Sequence, residues 1–209
     1  MLRRLCILVV LVASAASAFA GKKAGAAITK LPTKTVEIKA LLIPVPKQHC
    51  PNWAWAAVVE MMLSRQDVTI KQTDWILRAN AGELCIETTP DLDEIKRVVT
   101  RNYVQPDGSK IHIKGIVTPD ATDVGYLVTS VRDQKPLMML IGGRVLVLQS
   151  VDYDEYIYPN NQRMFEIVKM TLIDPFGGKP VIFDKTTDDT SQIGGVFEVR
   201  VGPIEPFQD

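Results

Sequence analysis

Gln48-His49-Cys50-Pro51-Asn52-Trp53-Ala54-Trp55-Ala56-Ala57 is the stretch on which the fold turns. Pro51 ends a loop, and Asn52 is the kind of residue that caps a helix N-terminus. From Trp53 to Leu63 Glu60 is the only polar side chain, so the helix that starts here is apolar nearly all round. Such a helix belongs at the centre of its domain.

Three more helices follow from spacing. In 73–81 Trp75, Ile76 and Ala79 share a face, and Gly82 offers a stop. The next has Thr89 as cap and Pro90 at its first position, with Asp91 and Asp93 near the positive end of the dipole. Its apolar stripe is Leu92, Ile95, Val98 and Val99. Val124, Leu127, Val128 and Val131 mark a fourth helix that ends before Pro136.

Beyond Pro136 the period changes. The runs 137–141, 144–151, 164–173, 179–183 and 195–201 are rich in Val, Ile, Leu and Phe and are separated by Gly, Pro, Asp and Asn clusters. They read as strands of an antiparallel sheet, with 35–43 and 110–117 as added edges. A helical front half packed on a later sheet is an α+β layout.

Residues 1–20 have the form of a secretory signal peptide: Arg3 and Arg4, an apolar run, then Ala18-Phe19-Ala20. Export to the periplasm or the extracellular space is expected, and no apolar segment is long enough for a membrane span. The 24 basic and 24 acidic side chains become 22 and 24 once Arg3 and Arg4 are removed. That balance gives no electrostatic reason to expect nucleic acid or an anionic membrane as partner. Residues 21–34, rich in Lys, Ala and Gly, read as a flexible lead-in, and 35–209 as one domain.

Of the three cysteines, Cys6 falls within the signal, leaving Cys50 and Cys85. In an exported chain they read as one disulfide, worth about 3–4 kcal/mol for a loop of this size, against the alternative of two separate thiols. A bridged Cys50 could not act as a nucleophile.

The chain resembles the papain-like cysteine peptidase superfamily, and more closely its compact bacterial branch that includes the bacteriocin-leader (double-glycine) peptidases. The resemblance rests on the 48–62 helix entry, on Gly142-Gly143-Arg144-Val145 running through Val151-Asp152-Tyr153, and on Leu172-Ile173-Asp174-Pro175 with its trailing glycines. It spans roughly 42–178 and implies a papain-like fold with a buried central helix. In that family a cysteine at the first turn of the helix is the nucleophile, its thiolate favoured by the helix dipole and a nearby imidazolium. Here the position holds Ala54. The matching oxyanion donor would be Gln48, and the matching orienting carboxylate Asp174. The imidazole position holds Arg144, which stays charged and cannot serve as a general base.

The histidine inventory makes that loss independent of register, because the chain has only His49 and His112. His112 sits in a strand-like run and reads as a strand or surface histidine. His49 adjoins Cys50 in sequence, but neighbours on an extended loop point apart. The expectation is therefore an exported, catalytically inactive papain-like domain that binds a peptide or protein segment in a relic groove, with relic positions Gln48, Ala54, Arg144 and Asp174. The alternatives are a non-standard cysteine hydrolase using Cys50, and a purely structural or interaction protein on the same scaffold.

Bland readings stand beside several of these residues. Gln48 is equally a loop amide and Asp174 equally a turn starter before Pro175. Asp152, Asp154 and Glu155 read as a solvated turn rather than a calcium loop, lacking the glycine and the later bidentate glutamate. No metal ligand set and no cofactor motif is present. If Arg144 and Asp174 occupy the two former catalytic positions, their charged groups should pair.

Overall fold

The computed structural model describes residues 27–39, 50, 52–79, 90–118 and 123–204. The architecture is α+β, with four α-helices and a large antiparallel sheet among the described residues. The helices are α1 (Ala54–Ser64), α2 (Gln72–Ala79), α3 (Leu92–Val99) and α4 (Val124–Arg132). The strands are β1 (Thr29–Lys30), β2 (Lys34–Glu37), β3 (Arg101–Val104), β4 (Lys110–Thr118), β5 (Leu137–Ile141), β6 (Arg144–Ile157), β7 (Arg163–Asp174), β8 (Lys179–Asp184) and β9 (Ile193–Gly202). The sheet runs β3-β4-β9-β5-β6-β7-β8, and β1 and β2 also pair with β6.

Helix α1 is buried from Trp55 to Leu63, as its apolar circumference requires, and packs on α2, β5, β6 and β9. Its boundary differs from the reading of Asn52 as cap. Trp53 holds the cap position with no side-chain cap bond, and its N–H donates to Cys50 O in a tight turn. The energetics favour this choice. A good cap is worth about 1 kcal/mol, whereas burying an indole gains about 4 kcal/mol, and Trp53 is buried.

Helix α3 also starts later than expected. Asp91, not Thr89, is its cap, accepting from Glu94 N–H at 2.8 Å. A carboxylate also meets the helix dipole with a charge, which a threonine cannot. Thr89 and Gly82 lie outside the described residues.

Strand β6 is the spine. From Val145 to Gln149 successive side chains are buried although they point alternately to opposite faces, so both faces are covered there. One edge of β6 pairs with β7 from Val147 to Ile157; the other meets β5, then β2, then β1.

Three expectations change here. Thr29–Lys30 is already in the sheet, so ordered chain begins before Thr35. The run 110–117 is an inner strand rather than an edge, because the short polar β3, which shows no apolar alternation, covers it. The layout is also more interleaved than helices first and strands later, since four strands precede α4.

The largest correction concerns Asp152, Asp154 and Glu155, which lie within β6 rather than in a solvated turn. Asp154 accepts from Thr33 Oγ1 at 2.6 Å and pairs with Lys30 Nζ at 2.5 Å. Glu155 meets Lys34 Nζ at 2.6 Å and Arg163 Nη1 at 2.8 Å, and Asp152 accepts from Thr35 Oγ1 at 2.7 Å. Counter-charges from the N-terminal arm and from β7 let the strand continue where its composition reads as a turn.

Candidate functional site

Each described residue of the site expected around Ala54 stands beside a chain reversal. Ala54 is the first residue of α1 and is partly buried. Gly142 and Gly143, at φ +55° and +76°, join β5 to β6 in a two-residue hairpin whose left-handed geometry suits glycine. Arg144 is thereby the first residue of β6, opposite Ile141. Asp174 is the last residue of β7, one beyond the pair Val147–Ile173. A cross-strand diagonal from Arg144 thus reaches Asp174.

The two charged groups meet, Arg144 Nη2 donating to Asp174 Oδ2 at 2.5 Å. The other carboxylate oxygen, Oδ1, accepts from Phe176 N–H at 2.8 Å, and Asp174 O accepts from Gly178 N–H at 2.9 Å. Asp174 therefore shapes the β7–β8 turn and binds the guanidinium at once. The Arg144 side chain is 58% exposed and that of Asp174 19%, so water screens the pair. The arginine is already protonated and cannot take up the proton of an attacking group.

His112 is placed far from this pair. Its Nδ1 lies 2.8 Å from Asn102 Oδ1, its partner across β3–β4. His112 is opposite Gly202 on β9, whereas Ile141, the neighbour of Arg144, is opposite Ile193. That separation is roughly 30 Å of extended strand at about 3.3 Å per residue. Gln48 and His49 lie outside the described residues, as does Cys85. Cys50 is buried. Trp55 is core, 1% exposed beneath the helix start.

No protein-family model matches the chain, and no curated protein matches it. Among the described residues, no helix is long and apolar enough to cross a membrane.

A cleft of about 290 Å³ lies at the other end of α1. Its walls include Met62, Gln66, Gln134, Glu198 and Arg200. Gln66 closes one wall by imitating a strand: its Nε2 donates to Val199 O at 3.0 Å and its Oε1 accepts from Val201 N–H at 3.1 Å. Gln134, at φ +61°, does the same for the end of the N-terminal arm. Its Nε2 donates to Glu37 O at 3.0 Å and its Oε1 accepts from Lys39 N–H at 2.8 Å. This cleft leaves no local signal in the chain, because its walls come from separate segments with no shared spacing.

Two buried glutamates act as tertiary anchors. Glu60 on α1 accepts from Lys71 Nζ at 3.1 Å and from Gln72 N–H at 3.0 Å, fixing α2 to the central helix. Glu198 on β9 accepts from the Tyr126 hydroxyl at 2.8 Å and pairs with Arg200. Burial, with this acidic partner, pushes the Tyr126 phenol well above its usual range. Glu60 was at least visible as the one polar residue of an apolar helix.

Proposed function

We propose that the chain is an exported, catalytically silent relative of the papain-like cysteine peptidases, one that binds an extended peptide or protein segment without cutting it. The observation that carries this reading is the Arg144–Asp174 pair. These residues stand where the resemblance places the general base and its orienting carboxylate, at the start of one strand and the end of the next. An alanine opens the central helix where the nucleophile would be. A base replaced by a fixed cation, bonded to the carboxylate that would have oriented it, yields a recognition surface rather than a proton relay. The oxyanion role of Gln48, the Cys50–Cys85 bridge and export from the cell belong to the same proposal.

A hydrolase built on Cys50 fits less well, since that side chain is buried and a reactive cysteine needs a partly exposed setting. The decisive experiment pairs thiol labelling of the non-reduced mature protein with a peptidase assay of the wild type and of the Ala54→Cys, Arg144→His double variant. The expected result is no labelling at Cys50 and no cleavage by the wild type. Thiol-dependent cleavage by the wild type would overturn the proposal, and activity gained only by the double variant would support the assignment of positions. Isothermal titration with extended peptides then reads the binding half of the proposal, with Arg144→Ala as the control.

A further inference from the structure

Three buried polar atoms near β3 find no hydrogen-bond partner among the described residues: Trp75 Nε1, Tyr103 Oη and Arg101 Nε. They belong to one neighbourhood. Trp75 on α2 is fully buried and meets the Tyr103 ring edge-on, with centroids 5.5 Å apart. Arg101 and Tyr103 are two residues apart on β3 and so point to the same face. Arg78 follows Trp75 by three residues on α2 and lies over the Tyr103 ring, its Cζ 5.0 Å from the centroid.

The chemistry of the cluster is one-sided. An indole N–H and a guanidinium N–H only donate, and a protonated phenol supplies a third donor. Burial pushes the Tyr103 pKa up to about 12, with the two arginines acting against that rise, so the hydroxyl keeps its proton at physiological pH. The acid that enters this balance, Asp74, accepts from Lys71 N–H at 3.3 Å. Buried donors normally have acceptors, and two cations beside them favour an acceptor that is an anion. A single water fits less well, since it brings two protons of its own to a place that offers donors. Access is open on one side, because β3 is the outer strand of the sheet and Arg78 is exposed.

We infer that Trp75, Arg78, Arg101 and Tyr103 form a binding site for an oxyanion, a carboxylate or phosphate group accepting from the indole, guanidinium and phenol donors. It lies on the β3 edge of the sheet, apart from the Arg144–Asp174 pair, and does not depend on the reading of that pair.

The indole N–H resonances of the mature protein test it directly. The chain has three tryptophans, and Trp75→Phe assigns the relevant signal. Inorganic phosphate and acetate are titrated separately against chloride at constant ionic strength. The Trp75 indole proton should move downfield and saturate at millimolar anion, while the signals of Trp53 and Trp55 stay in place. Arg101→Gln should weaken the response about tenfold or more, the loss expected of a charged donor. Arg78→Gln, at an exposed position, provides a second variant if the first fails to fold. Saturation at lower acetate than phosphate identifies a carboxylate ligand, and the reverse order a phosphate. An unmoved Trp75 signal with both anions would overturn the inference, as would a response in both variants as strong as in the wild type or a bound-water cross-peak on Trp75 that neither anion displaces.

Discussion

Strand β6 carries charge near both ends, and the two ends handle it in opposite ways. At its start Arg144 reaches Asp174 with the guanidinium mostly in water. Near its end Asp154 and Glu155 are buried, while the cations that meet them, Lys30, Lys34 and Arg163, keep about half or more of their side chains exposed. The first arrangement costs little desolvation and stabilises little. The second takes two carboxylates out of water and depends on an arm of chain to supply their counter-charges. Which kind a charge becomes is decided by the partner a neighbouring element can deliver.

The comparison breaks most readily at the arm. Deleting residues 27–36 removes β1, most of β2 and the Lys30, Thr33 and Lys34 partners of the two carboxylates. Because the remaining groups can partly rehydrate, the expected loss is about 3 kcal/mol, at the lower end for a broken buried pair, or roughly 6–12 °C in Tm for a domain of this size. Thermal unfolding followed by circular dichroism checks it. A loss below about 1 kcal/mol would mean that the clasp contributes no more than a surface pair does.

A smaller change isolates the charges from the strand pairing. Both carboxyls are held below their ordinary range: Asp154 chiefly by its bond to Lys30 and then Thr33, Glu155 chiefly by its bond to Lys34. A depressed folded-state pKa adds stability that is present above the unfolded value, about 4. It is lost as pH falls through the folded value. Glu155→Gln should therefore cost about 1–2 kcal/mol at pH 7, and the gap to the wild type should close as the pH drops from about 5 to below 3. Urea unfolding at several pH values reads this directly. A gap that stays constant with pH would assign the loss to packing instead.

At the other end of the strand, Arg144→Met should cost about 0.5 kcal/mol or less, and the difference should shrink further in concentrated salt. Denaturant midpoints at low and high salt measure it. A loss above about 1.5 kcal/mol would place this pair with the buried ones.

The same contrast explains what was legible in the sequence. Helices α1 and α4 and strands β5, β7, β8 and β9 follow from apolar spacing and turn residues, because those signals are local. The meeting of Arg144 and Asp174 could be anticipated only by matching both positions to a family pattern, and the hairpin glycines then bring them together. The N-terminal arm was misread because exposed Lys and Thr residues form a strand here only through acids more than 110 residues away. Conversely, Asp152 to Glu155 carry the composition of a turn, and the arm together with β7 makes them strand. Gln66 and Gln134 act as stand-in strands through side-chain amides, which leave no periodic trace. Cap positions shifted where a buried indole or a charged side chain outweighed a neutral cap.

The smallest expected effect bears on function most directly. Ala54→Cys alone places a thiol at the first turn of a helix with no acid in that turn, so the dipole favours the thiolate. Stability should change by less than about 0.5 kcal/mol, because the position is only partly buried and the added atom is small. The new thiol should react with alkylating reagents faster than a free cysteine does, yet peptide hydrolysis should stay at background. An acyl transfer also needs a group that gives a proton to the leaving amine. Arg144 is held by Asp174 and holds its protons too tightly to give one up, while His112 lies far along the sheet. Measurable turnover by the single variant would show that a proton carrier reaches the helix start after all. The Arg144–Asp174 pair would then be an ordinary surface contact beside a site that had lost only its sulfur.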